Sequence, residues 1–549
     1  MAAVNVSILR LLASLAFALT ALTLIRYIEY VTKFSNGLRY TTLFTFNRSN
    51  ILHDQGAYAL PMAVFNNNSH SDGGRPGCKI ATVEPFLAVI MESLKPVRSI
   101  KCTGRLYTEY EDNVLRLLDN VSEEHQVDEV FAEPLIRVSD FNVSLGEKRF
   151  LDLAKREVDV NSDFLKVTVR FKDGSQQTDF HASISEIPDV AQRKETHNAP
   201  LNIMVLGLDR TSSAHFQRMV PKTYVYLKEQ LDSVIFKSYS IVGENTAPAL
   251  SAFLTGKSLA ENCAFKEARK GFKNAGVVDE WPFIFKDLKT LGIPTMWSED
   301  QPSIGAFHFR LKGFNEQPTD HYGRSLWWLY DGGLCKHSLA QYKLQLQYLK
   351  SFMKSYPGKR KFGFVFLSDL CHRTVNLLSG GDDGFVEFFE SLKNNSLLNN
   401  TLFITMGDHG PYTYGVIRDS PQGKLEHRLP FLSLTFPAWF KRSYPVQMAA
   451  LIRNSRIITS PFDLYKTMKH LLTFPKKTFV EMDTVGASLF ESLPNDRACE
   501  DTGIPEFYCP CLSRMQSIDI AHTHVHQAVK VAVKHINDIL ISRPITAKL

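Results

Sequence analysis

LNIMVLGLD, residues 201–209, is an unbroken apolar run that closes on an acid. A strand buried on both faces of a parallel sheet has this composition, because no alternate position needs to face water. The stretch that follows, MVPKTYVYLKEQL (219–231), has helical spacing. FGFVFLSDL (362–370) and NTLFITMGDHG (400–410) repeat the format of an apolar strand that ends in polar residues, with helical stretches between them. Strands alternating with helices argue for an open α/β fold, doubly wound around a mostly parallel sheet. Ligand sites in such sheets lie at the carboxyl ends of the strands. Three of the strands read here carry Asp or Asp-His at that end.

Upstream of residue 200 the pattern differs. Turn clusters such as FNNNSHSDGGRPG (65–77) separate short alternating runs, and LKVTVRFKDGS (165–175) places an Asp173-Gly174 turn signal after a strand. This reads as an antiparallel, β-rich lead-in region. Downstream, the tail holds CEDTGIPEFYCPC (499–511) and then a helical or strand stretch. The expected organisation is an N-terminal signal anchor or signal peptide over 1–30, the β-rich region over 31–199, the α/β domain over 200–495 and a cysteine-containing tail over 496–549. There is no internal repeat.

At 549 residues the chain can bury a large core, and 44% hydrophobic with 22% charged residues is ordinary for a globular protein. The net charge is +6, and Lys and Arg are scattered without a basic run, which argues against nucleic acid as a partner. LLASLAFALTALTLI (11–25) carries no charge and is flanked by Arg10 and Arg26. About 20 apolar residues span a bilayer comfortably, so this shorter run suits a signal-peptide core or a short anchor. No small-x-small cleavage site clearly follows. The expectation is a single-pass type II membrane protein with a lumenal or extracellular domain, or a secreted one. Sequons at Asn47, Asn67, Asn120, Asn142, Asn394 and Asn399 fit a glycoprotein. Eight cysteines, an even count, fit disulfides whose pairing the sequence leaves open.

Several residues can carry chemistry. Asp209, at a strand end, can ligate a cation. Thr246, in GENTAPALSAFLTG (243–256), starts a helix that stops at Gly256, which places its hydroxyl where oriented N–H groups attract phosphate or sulfate. A metal touching that oxygen would lower its pKa and make it a nucleophile. Asp408 and His409 can both reach one metal if the backbone turns at Gly410. His372, beyond the 362–370 strand, is a candidate catalytic group or substrate contact. Asp369 and His372, with His427 a weaker candidate, would form a second metal site. His321, in QPTDHYGR, reads as structural or facing substrate.

The blocks MVLGLDRTSSAHFQRMVPKTYVYL (204–227), GENTAPALSAFLTG (243–256), KGFNEQPTDHYGR (312–324), NNTLFITMGDHG (399–410) and QGKLEHRLPFLSL (422–434), with Cys499, Cys509 and Cys511, resemble the domain of unknown function 229 family, sulfatase-like proteins of the alkaline phosphatase superfamily. The resemblance runs from about residue 100 to about 540. It implies that Asp209, Thr246, Asp408 and His409 bind a divalent metal (Zn, Mn or Mg), with Thr246 as nucleophile. These four resemble the single-metal set of lipoteichoic-acid-synthase-like members, and His372 resembles their substrate-contacting histidine. Arg373 stands where the family usually shows an acid, and His427 where it tends to show Glu. The Thr246-Ala247-Pro248-Ala249-Leu250 run lacks the modifiable residue and the Arg of C/S-x-P-x-R, which disfavours sulfatase chemistry of the usual kind.

The expected function is a metal-dependent hydrolase or transferase for a phosphate- or sulfate-type ester, acting in the secretory pathway or outside the cell. The alternative is a non-catalytic extracellular or membrane-bound binding protein that keeps the fold.

Overall fold

The computed structural model describes residues 77–118, 127–265, 270–271, 274–411, 415–475, 485–511 and 523–542. The expected N-terminal anchor and the sequons at Asn47, Asn67 and Asn120 lie outside them. No helix among the described residues is long and apolar enough to cross a membrane. Asn142, Asn394 and Asn399 are all exposed.

After a short helix, Ala88–Ser93, come eight strands in the described chain: β1 (Thr108–Glu111), β2 (Val114–Leu117), β3 (Val127–Ser139), β4 (Asn142–Leu145), β5 (Arg149–Phe150), β6 (Glu157–Asp159), β7 (Phe164–Phe171) and β8 (Gln176–Ala182). They form two antiparallel sheets, β1-β2-β6 and β4-β3-β7-β8, with β5 added to β3. The Asp173-Gly174 turn joins β7 to β8, with Gly174 at φ +84°. That angle is cheap for glycine and strained for a residue with a Cβ.

The second half alternates helices with β9 (Asn202–Leu208), β10 (Val234–Ile235), β11 (Thr295–Glu299), β12 (His321–Tyr322), β13 (Cys335–Lys336), β14 (Leu339–Ala340), β15 (Phe362–Leu367), β16 (Thr401–Gly407) and β17 (Leu432–Thr435). Seven of them make one sheet in the order β10-β17-β16-β9-β15-β11-β12. The four contacts from β16 to β12 are parallel, and β17 and β10 are added antiparallel. The sheet is therefore mixed, with a parallel centre. Alternate residues feed opposite cores: Ile203 and Val205 pack on one face, Met204, Leu206 and Leu208 on the other. Helices cover both faces, which is why the central strands read as continuous apolar runs.

Register decides where the polar ends fall. Leu208, the last residue of β9, is paired with Leu367 of β15 and with Gly407 of β16. The next residues of the three strands, Asp209, Ser368 and Asp408, therefore emerge side by side.

Three disulfides staple the described chain: Cys78–Cys511, Cys102–Cys335 and Cys499–Cys509. Cys371 is a buried free thiol. Disulfides are the chemistry of an oxidising compartment. The tail ends in a helix, Thr523–Ser542.

Candidate metal centre

Asp209, Asp408 and His409 are each at most 2% exposed, and one ligand atom from each lies within 4.8 Å of the others. His409 Nε2 is 3.4 Å from Asp408 Oδ2 and 3.8 Å from Asp209 Oδ1. Its Nδ1 is 2.9 Å from the Gly410 carbonyl oxygen. A carbonyl only accepts, so Nδ1 carries a proton and the ring presents Nε2 to the two carboxylates. Asp408 Oδ1 accepts the amides of Arg210 (3.0 Å) and His409 (2.8 Å). Asp408 Oδ2 and Asp209 Oδ1 are buried without a hydrogen-bond partner. Buried carboxylate oxygens without donors are costly, and a cation between them removes the cost. Burial first, and then the neighbouring Asp408 charge, push the Asp209 carboxyl well above the usual carboxylate range. The donor set, two carboxylates and one imidazole, suits a borderline or hard divalent ion.

Thr246 is the first residue of the helix Thr246–Thr255, which ends at Gly256 in the left-handed conformation (φ 66°). The cap position belongs to Asn245, held at φ 73°, an uncommon angle for a residue with a side chain. Thr246 is half-buried. The chain reaches it past Ile241, whose amide donates to the Arg428 carbonyl (3.1 Å), one residue beyond His427.

His372 closes the short helix Asp369–His372 that follows β15. Burial first, and then the charges of Arg210 and His409, lower its pKa to about 4, so its imidazole is neutral at pH 7. Arg210 Nη1 donates to the His372 carbonyl at 3.2 Å. His427 lies with its ring 5.7 Å from that of His409, edge to face, and burial together with the His409 charge takes its pKa to about 3. Asp369 is buried, and its Oδ1 accepts from Gln301 Nε2 (2.6 Å) and Arg373 Nε (2.5 Å). Among the described residues, Asp369, His372 and His427 do not form a second three-ligand group. His321 is buried away from this cluster, with Nδ1 2.7 Å from Asp163 just before β7 and Nε2 2.7 Å from the Tyr356 hydroxyl. It ties β12 to the β-rich sheet.

A family model described as "Protein of unknown function (DUF229)" matches residues 86–548. The chain belongs to the DUF229 family. No curated protein matches this DUF229 chain. Among solved structures it is similar to the lipoteichoic acid synthase LtaP from Listeria monocytogenes, at 13% identity and TM-score 0.36 over 55% of this chain and 80% of that one. A protein of the alkaline phosphatase superfamily from Vibrio parahaemolyticus gives 14%, 0.37, 56% and 78%. The C-terminal periplasmic domain of EcEptC from Escherichia coli gives 13%, 0.35, 58% and 100%.

Three residues around the centre of this DUF229 protein escape a reading of the sequence. Asp300 follows β11, accepts the amides of Ser368 (2.7 Å) and Asp369 (3.3 Å), and is raised by burial to about 7. Its signal was the same apolar run ending in acid, TMWSED (295–300). Arg218 and Glu426 form an ion pair with both side chains fully buried. No local pattern announces that pair, because its halves come from distant segments.

Proposed function

We propose that this DUF229 protein is a metal-dependent hydrolase or transferase acting on a phosphate- or sulfate-type ester, with Thr246 as nucleophile. The observation that carries the reading is the buried Asp209, Asp408 and His409 group, whose ligand atoms lie within 4.8 Å of one another. Sequence resemblance to the alkaline phosphatase superfamily adds Thr246 to that set. A divalent ion held there would offset charge on the transferred group and lower the pKa of a hydroxyl beside it.

The residues of the chain divide the remaining work. His409, fixed as the Nδ1–H tautomer, and the two aspartates supply the ligand atoms. Thr246 opens a helix of 10 residues, where the backbone amides favour an anion. For a phosphate ester, the Thr246 oxygen forms the new P–O bond as the bond to the leaving alcohol breaks. The hydroxyl proton passes to solvent, and the departing alkoxide takes one up. Water or an acceptor alcohol then releases the phosphoryl group from Thr246. Neutral His372 donates or accepts a hydrogen bond at the substrate without adding charge. The work takes place in the secretory pathway or outside the cell, with the protein either held to the membrane by the 11–25 run or secreted. The α/β portion, residues 200–495, is the catalytic part.

The test is metal content of the full-length protein for wild type and Asp408→Ala, with turnover of a generic phosphodiester and a phosphomonoester. Stoichiometric metal lost in Asp408→Ala, with turnover lost and metal kept in Thr246→Ala, is the expected result. A folded wild type that binds no metal and turns over nothing would sink the reading.

A further inference from the structure

Glu426 is 1% exposed and collects four donated hydrogen bonds. Arg218 donates from Nη1 (3.1 Å) and Nη2 (2.5 Å), Gln422 Nε2 donates at 2.9 Å, and the Ser212 hydroxyl donates at 3.3 Å. Arg218 lies on the helix Ser213–Met219, capped by Ser212, three residues after Asp209. Glu426 and His427 lie on the helix Pro421–Arg428. The same two segments also meet through their backbones, Ser213 N–H to Leu429 O (2.9 Å) and Phe431 N–H to Thr211 O (3.0 Å).

The Glu426 end reaches the centre through one glycine. The Gly410 amide donates to the His427 carbonyl at 2.9 Å. A Cβ on Gly410 would stand 2.2 Å from the Glu426 carbonyl oxygen and 2.8 Å from the His427 Cα, so this backbone lies directly against the helix. The carbonyl of that same Gly410 holds the Nδ1–H of His409. Arg218 thus contacts Glu426, the helix of Glu426 contacts Gly410, and Gly410 contacts His409.

We propose that the Arg218–Glu426 pair positions the metal centre, registering the segment that follows Asp209 against the helix that fixes His409 in its ligating tautomer. A buried ion pair seldom stabilises a fold more than apolar residues of the same volume do. Partners that orient ligating histidines, in contrast, commonly set metal affinity. Neither residue belongs to the Asp209, Asp408 and His409 group, so both are positioning residues. The inference rests on the metal reading given above.

The experiment measures divalent-metal affinity by chelator competition, together with melting temperature of the metal-free form. Its samples are full-length wild type, Arg218→Lys, Glu426→Gln, Arg218→Met and the double variant Arg218→Met/Glu426→Met. Glu426→Gln and Arg218→Met are expected to lose about 10- to 100-fold in affinity, with part recovered in Arg218→Lys. The double variant, which leaves no charge unpaired, regains metal-free stability but not affinity. Where a single variant fails to fold, the double variant carries the test. Lowered melting with wild-type affinity in the folded variants overturns the inference and leaves the pair a plain structural one. A wild type that binds no metal overturns the function proposed above as well, so the two failures are distinct.

Discussion

The Nε2 of His409, just past the end of β16, stands 3.8 Å from Oδ1 of Asp209, just past the end of the neighbouring β9. Parallel pairing brings them together: Gly407 is in register with Leu208, so both chains leave the sheet at the same level. The candidate metal site is built on strand ends that the core holds from both faces.

Asp209→Asn is expected to abolish metal binding, since it removes a charge and one ligating oxygen. It should also raise the melting temperature of the metal-free protein at pH 8. At that pH the unfolded wild type ionises Asp209 freely, whereas burial and the Asp408 charge both disfavour the charged form in the folded chain. Calorimetry of both proteins in chelator checks this, and a lower melting point in the variant would contradict it.

Asp300 gives a pH-dependent prediction. Its folded pKa is about 7, against an ordinary value of 3.8. Between about pH 4 and pH 7 the folded chain therefore holds a proton that the unfolded chain has lost, and this site's contribution to stability falls as pH rises through that window. Asp300→Asn has no such titration. Relative to wild type it should gain stability from about pH 4 to about pH 7, by at most about 1.4 kcal/mol per pH unit, and level off above. Denaturant unfolding of the metal-free proteins at three pH values reads the difference directly, and a flat difference would rule out the raised carboxyl.

The apolar runs of β9, β15 and β16 were readable because a buried parallel strand needs nothing but apolar residues, and their terminal acids marked the site. Asp209, Asp408 and His409 were legible for that reason. TMWSED was harder, since β11 is short and carries Ser and Trp among its apolar residues. Arg218 and Glu426 could not be found at all: an Arg on one amphipathic helix and a Glu on another look like solvated charges until the fold buries them together. The antiparallel addition of β17 and β10 depends on long-range register, which no local pattern encodes.

His372→Ala should lower turnover about 100-fold while leaving metal content unchanged. A side chain that contacts substrate is not needed to hold the ion. Because its pKa is near 4, His372 adds no inflection to the pH–rate profile above about pH 5. Loss of metal in this variant would move His372 from substrate contact to ligand.

Gly410→Ala places a methyl group 2.2 Å from the Glu426 carbonyl oxygen, so the turn after His409 must shift. The expected cost is about 1–3 kcal/mol of stability, together with weakened metal binding. Thermal melts with and without metal separate the two. An alanine variant with wild-type melting and affinity would mean that this turn has room to give.

Cys78 and Cys511 are joined although 433 positions separate them. Nearly all of the described chain is thereby closed into a covalent ring. A protease that nicks any surface loop between these residues opens the ring without releasing a fragment, and both sides of the cut stay on one molecule until the bond is reduced. Cleavage in an oxidising compartment thus leaves the strand ends that carry Asp209 and Asp408 tethered, and a nicked protein runs as two pieces only on a reducing gel.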